Sequence, residues 1–158
     1  MSKISPCLWF DADAEEAAAF YVSLLPDSRI DYVQKNVVDT HAGPADRTLV
    51  VAFTLAGCSY LGLNGGSPAA HSHAMSLHVA CEDQAEIDRL WEALLQGGAP
   101  QRCGWLNDRW GVPWQIAPKQ MPELLADPDT AKAARVMRAM MGMVKLDIAA
   151  LEAAHRGG

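Results

Sequence analysis

No run of about eighteen uninterrupted apolar residues occurs in this chain, so it offers no helix able to span a bilayer, although half of its residues are hydrophobic. The opening Met1-Ser2-Lys3-Ile4 lacks the basic and then apolar layout of a secretory signal, which leads us to expect a cytoplasmic protein. Basic charge is scarce and scattered. Thirteen Lys and Arg stand against nineteen Asp and Glu, for a net charge of −6, and no basic stripe exists to follow a phosphate backbone. Nucleic acid is therefore excluded as a partner. Cysteine is sparse too: Cys7, Cys58, Cys81 and Cys103 stand alone, and the missing C-x-x-C pair rules out a zinc knuckle or a thioredoxin-like redox site. Cys7 and Cys81 fall in apolar strand-like runs and read as free buried thiols that pack as small hydrophobes.

With 158 residues, the chain is long enough to bury a core without a disulfide or structural metal. Its most informative feature is an internal repeat, offset by the separation of Asp13 and Asp83. At that offset Glu16 falls on Glu86, Phe20 on Leu90, Tyr21 on Trp91, Leu24 on Leu94 and Leu25 on Leu95. Each copy opens with Asp-x-x-Glu, a variant of the capping box, and so predicts a helix start. Ala17, Phe20, Tyr21 and Leu24, and then Ile87, Leu90, Trp91 and Leu94, recur at three-and-four spacing as one apolar face per helix. Pro26 stops the first helix and Gly97-Gly98 the second.

The segments before the caps, Ile4 to Phe10 and Ala74 to Cys81, read as strands. After the first helix, strands are predicted at Arg29 to Val38, Thr48 to Leu55 and Ser59 to Asn64, with a turn at Ala56-Gly57. The second half repeats this in shorter form, with Pro100 to Cys103, Gly104 to Asn107, a turn at Asp108-Arg109-Trp110-Gly111, and Val112 to Ala117. The predicted fold class is α+β: two βαβββ modules, residues 3–66 and 73–118, form one cupped mixed sheet in a single domain, and a helical tail occupies 121–156. In the tail Asp127-Pro128 reads as an N-cap with proline in the first helical position, and Asp147 caps a last helix through Ala154. Val136, Met137, Met140, Met141 and Val144 form one face, read as packing onto the domain or across a dimer, with a plastic lid as the other reading.

The order of Pro6-Cys7-Leu8-Trp9-Phe10-Asp11, Leu63-Asn64-Gly65-Gly66, Cys81-Glu82-Asp83, Cys103-Gly104-Trp105-Leu106 and Trp114-Gln115-Ile116 resembles one group of proteins. It is the PhnB-like branch of the glyoxalase/bleomycin resistance/dioxygenase superfamily, the vicinal oxygen chelate proteins, and the resemblance runs from Ile4 through the tail. Some members carry the label 3-demethylubiquinone 3-methyltransferase. A Rossmann-like methyltransferase needs a glycine-rich turn leading from a strand into a helix, whereas Gly65-Gly66 runs into Ser67-Pro68 and a loop. The resemblance also implies a homodimer.

In metal-dependent members of that superfamily His, Gln or Glu ligands lie on the first and fourth strands of each module. The resemblance puts those positions at Pro6, Asn64, Ser76 and Gln115. Proline has no side-chain donor, and serine and amides are weak neutral ligands. Shifting by one residue brings up Ser5 or Cys7, Leu63 or Gly65, and Met75 or Leu77, and restores no four-ligand set. No metal and no cofactor is therefore expected. His71-x-His73, in a loop rich in Ser, Pro and Ala, reads as exposed.

Period-two alternation groups Leu8 with Pro6, His78 with Ser76, and Tyr60 and Gly62 with Asn64 on the cavity face. Trp105 borders that cavity, while Trp9, Trp91 and Trp114 pack between helix and sheet. The expected ligand-binding residues are Leu8, Tyr60, Asn64, Ser76, His78, Trp105 and Gln115, with the two amides offering donors and acceptors to a polar group. His78 reads either as a half-buried structural histidine or as a group that acts on the ligand. The leading function is a cavity for a small organic molecule, with no reaction or catalytic residue assigned. The alternatives are a metal-dependent lyase, isomerase or dioxygenase using His71, His73, His78 or Gln115, and the methyl transfer in the label.

Overall fold

The computed structural model describes residues 3–157, and the chain divides into two compact units, Met1–Ala70 and His71–Gly158. The first contains β1 (Cys7–Phe10), α1 (Ala14–Leu24), β2 (Arg29–Lys35), β3 (Thr48–Leu55) and β4 (Cys58–Asn64). The second contains β5 (Leu77–Cys81), α2 (Gln84–Leu95), β6 (Ala99–Pro100), β7 (Trp105–Asn107) and β8 (Pro113–Pro118). A tail of α3 (Met121–Leu125), α4 (Thr130–Gly142) and α5 (Ile148–Arg156) completes the second unit. The sheets have orders β1-β4-β3-β2 and β5-β8-β7-β6, each with one parallel pair, β1 with β4 and β5 with β8. The fold is α+β, built from two like modules as the repeat implies. Among the described residues no helix is long and apolar enough to cross a membrane.

Each helix covers one face of its own sheet. Ala14, Ala17, Ala18 and Tyr21 of α1 are buried, as are Phe10, Val51, Phe53 and Leu55 of the sheet. Small residues set the separation: a Cβ on Gly62 would stand 3.2 Å from the Cβ of Ala14. Phe20 and Leu24, expected on this face, are only half-buried, because the helix turns its alanines rather than its larger side chains toward the sheet. In the second unit Ile87, Leu90, Trp91 and Leu94 are buried as expected, together with Leu77, Leu106, Trp114 and Ile116.

Several element ends differ from expectation for local reasons. β2 stops at Lys35 rather than Val38 because Asn36 turns the chain, its Nδ2 donating to the carbonyls of Gly43 and Pro44. β6 shrinks to Ala99–Pro100 because Cys103 and Gly104 take φ of 60° and 80°, which no strand accommodates. The two helix caps also differ. Asp83 accepts from the backbone N–H of Glu86, and Glu86 accepts from that of Glu82. Asp13 makes no such bond. The connection before α1 has three residues, Asp11 to Asp13, where that before α2 has two, and in its place Asn64 Oδ1 accepts from the Ala14 N–H at 2.9 Å.

In the tail the cap of α4 is Asp129, not Asp127, and accepts from the Ala131 N–H. Asp127 instead accepts from the Asp129 N–H and lies 2.7 Å from His155 Nε2, and these contacts, the backbone one foremost, hold its carboxyl below the usual carboxylate range. Asp147 caps α5 as expected. The methionine face separates into two adjacent stripes. Val136 is buried with Met121, Leu146 and Leu151, and Met140 and Met143 pack against them. Met137, Met141 and Val144 are exposed by 41%, 50% and 47%.

Candidate functional site

Side chains alternate across a strand, so burial on one face fixes what the other carries. Under α2 lie Leu77, Val79 and Cys81 of β5, Trp114 and Ile116 of β8, and Leu106 of β7. The opposite face therefore carries Ser76 and His78, Gln115, and Trp105 and Asn107. Gln115 pairs in register with His78 on one side and Trp105 on the other, which places the three abreast. Four of the seven expected residues thus share one surface: Ser76, His78, Trp105 and Gln115.

Polar contacts order this surface. Gln115 Nε2 donates to Ser76 Oγ at 2.8 Å. Gln101 Nε2 donates to Asn107 Oδ1 at 3.1 Å and lies 2.7 Å from His73 Nε2. The His73 ring meets Trp105 edge-on, with centroids 5.6 Å apart at 74°. A cavity of about 300 Å³ opens here, lined by His73, Gln101, Arg102, Cys103 and Trp105. Gln101, Asn107 and His73 were not among the expected ligand-binding residues. Asn107 follows from alternation with Trp105, but Gln101 comes into place only through the left-handed turn at Cys103-Gly104.

The other three expected residues lie elsewhere. Leu8 and Asn64 are buried on the α1 side of the first sheet, where Leu8 pairs with Gly62 and Phe10 with Asn64. Tyr60 stacks on Phe53 at 5.5 Å on that same side, and burial first, then Cys58, raises its phenol pKa. Tyr60 also borders a separate cavity of about 710 Å³ with Pro6, Arg29, Thr54 and Ser59. The face away from α1 carries Cys7, Trp9, Leu61 and Leu63. The extra residue before α1 flips every side chain of β1 relative to its counterpart in β5, since a strand has period two. Trp9 therefore does not pack between helix and sheet, and its Nε1 donates to Ser67 O at 2.8 Å. The same flip leaves Cys7 exposed rather than buried. Cys81 is buried as expected, and its thiol is pushed up to about 12, chiefly by burial and next by the Glu86 carboxylate.

Both ends of the Asn64 amide are engaged, since its Nδ2 donates to Thr48 O at 3.0 Å. Replacing Asn64 with Leu is expected to destabilise the protein by about 1–3 kcal/mol in urea unfolding, through loss of the α1 cap and an unpaired buried N–H. An unchanged midpoint would return Asn64 to the ligand contacts.

The residues at the metal positions that the resemblance implies do not fit an ion: Pro6 has no donor, Asn64 caps α1, and Ser76 and Gln115 are neutral groups bonded to each other. Among the described residues no three or more of His, Cys, Asp and Glu cluster as a metal site. His73 is exposed as expected, whereas His71 is half-buried.

The family model described as 3-demethylubiquinone-9 3-methyltransferase matches residues 2–117, ending before α3. No curated protein matches the chain. Among solved structures, the PhnB protein from Bacillus cereus is 32% identical over 74% of this chain and 99% of its own, with a TM-score of 0.66. A Pseudomonas aeruginosa protein, 21% identical over 75% of this chain and 98% of its own, has a TM-score of 0.56 and shows the fold alone. With the family model spanning most of the chain and the Bacillus cereus relative matched along nearly its whole length, this protein belongs to the PhnB-like family described as 3-demethylubiquinone-9 3-methyltransferase.

Proposed function

We propose that the face of β5, β8 and β7 turned away from α2 binds a small organic molecule with a planar apolar part and a few hydrogen-bonding groups, with no reaction assigned. The observation that carries this reading is the alignment of Gln115 between His78 and Trp105, beside the Gln101, Asn107 and His73 group. An aromatic wall with a few placed polar groups is the usual form of a small-molecule site. The described bond uses one amide hydrogen of Gln115; a carboxamide has a second, and two acceptor lone pairs, with which to fix a ligand's orientation. Trp105 supplies a flat surface for a ring. The same reading takes the protein as a homodimer, supported by the exposed Met137, Met141 and Val144, and a monomer in sedimentation would remove that part.

The methyl transfer in the family's description has no support in the strand-to-helix turns. Asp11 to Asp13 and Glu82-Asp83 are acidic and contain no glycine. The metal-dependent alternatives would draw on His73, His78 and Gln115, and among the described residues no three or more of His, Cys, Asp and Glu cluster to support them.

Binding is tested by titrating aromatic carboxamides and hydroxylated aromatics, followed by amide chemical shifts and tryptophan fluorescence. Gln115→Leu and Trp105→Ala are each expected to weaken the best binder about tenfold, the loss of one hydrogen bond or one stacking contact. Unchanged affinity in both variants would discard this face as the site.

A further inference from the structure

We propose that the C-terminal tail holds the lip of this site in place and so sets the shape of its wall, an inference that rests on the reading of the second sheet's face as a binding surface. The lip is the turn between β6 and β7. It carries Arg102, Cys103 and Trp105, which line the 300 Å³ cavity. Its conformation is unusual, because Cys103 is not glycine yet takes φ of 60°. A side-chain-bearing residue stays in that region only where its surroundings over-determine it.

Those surroundings are the tail. The backbone N–H groups of Cys103 and Gly104 donate to the carbonyls of Met143 and Val144, at 2.9 and 2.8 Å, in the link between α4 and α5. Leu146 packs on the same turn so closely that a Cβ on Gly104 would lie 2.9 Å from its Cδ1. The link is tied in turn to α2. Gln84 Nε2 donates to Leu146 O at 3.2 Å, Gln84 Oε1 accepts from the Ile148 N–H at 2.9 Å, and Lys145 pairs with Asp88 at 2.6 Å. Beyond it, Arg135 of α4 donates to the carbonyls of Ala154 and His155 and secures the end of α5. One side of the turn thus belongs to the tail and the other to the cavity wall.

This support comes from residues beyond the stretch that the family model matches. The family match ends at residue 117, and the Bacillus cereus relative is matched over 99% of its length by only 74% of this chain. Undocking the link removes two backbone bonds from the turn and frees Cys103 from its left-handed conformation, which moves Arg102 and Trp105 together.

The test reads the lip directly. In full-length protein with Cys7→Ser and Cys58→Ser, the rate at which an aromatic disulfide reagent modifies Cys103 reports opening of the lip. The rate at Cys81, buried under α2, reports unfolding of the unit. Gln84→Ala, which removes both Gln84 bonds to the link, is expected to raise the Cys103 rate about tenfold and leave the Cys81 rate unchanged. Equal rises at both thiols would mean that the tail only supports the fold, and no rise at either would mean that it does not hold the lip; each result overturns the proposal. Hydrogen exchange of the unaltered protein is a second reading. Protection of the Cys103 and Gly104 amides comparable to that of Ile116 supports the clamp, and exchange as fast as an open turn overturns it. Neither readout uses a ligand, so a failure here is distinct from a failure of the Gln115 and Trp105 titrations.

Discussion

Replacing Asp108 with alanine is expected to lower the unfolding free energy by about 3–5 kcal/mol, measured by urea denaturation. The Asp108 side chain is buried in the turn between β7 and β8. Its Oδ1 accepts from the backbone N–H groups of Trp110 and Val112, at 2.9 and 3.0 Å, and its Oδ2 accepts from Trp114 Nε1 at 2.9 Å. Alanine would leave these donors short of an acceptor, and Val112 and Trp114 are each only 2% exposed. Each unsatisfied buried donor costs about 1–3 kcal/mol. Asp108→Asn should cost less than alanine, since it keeps one oxygen, but it turns an amide N–H₂ toward at least one donor. A loss below about 1 kcal/mol in the alanine variant would show that the carboxylate is not what closes this turn.

Phe53→Ala is expected to destabilise the first unit by about 3–5 kcal/mol, because truncating a buried aromatic forfeits its transfer energy and leaves a cavity. The Phe53 ring is fully buried, 6.4 Å from Tyr21 and stacked at 5.5 Å on Tyr60. Phe53→Leu, which keeps much of the volume, should cost about 1.5 kcal/mol or less. A second readout is the Tyr60 phenol. Burial holds its ionisation above the usual range, and opening the Phe53 side admits water, so the phenol should ionise at lower pH in spectrophotometric titration. If Phe53→Ala proves as mild as Phe53→Leu, the site has collapsed around the missing ring and this stack is not a centre of the core.

The helices were legible because their signals are local. Asp83 and Glu86 cap α2 through bonds within a few residues, and the apolar face of Ile87, Leu90, Trp91 and Leu94 needs only the helical period. The same holds for β3, for the turn at Ala56-Gly57, and for Asp147 before α5. The faces of the strands were legible only in part. Ser76, His78, Trp105 and Gln115 share one face of the second sheet, whereas Leu8, expected beside Pro6 by alternation, and Tyr60 and Asn64, expected from the fourth-strand position that the resemblance implies, lie on the α1 side of the first sheet. A helix absorbs an extra residue in its connection without loss of pattern. A strand does not, because one residue exchanges its faces.

From the residues came the α+β class and the two βαβββ modules, and from the resemblance that their motifs carry came the family. Each depends on residue type and short-range order, which the chain carries wherever it folds. Only the tertiary structure decided that Asn64 caps α1 from fifty residues away, that Gln101 lies against His73 and Asn107, and that the carbonyls of Met143 and Val144 accept from the N–H groups of Cys103 and Gly104. Those pairings join segments far apart in sequence. They are selected by which buried N–H groups still need an acceptor once helices and sheets have formed, and no local pattern records that requirement.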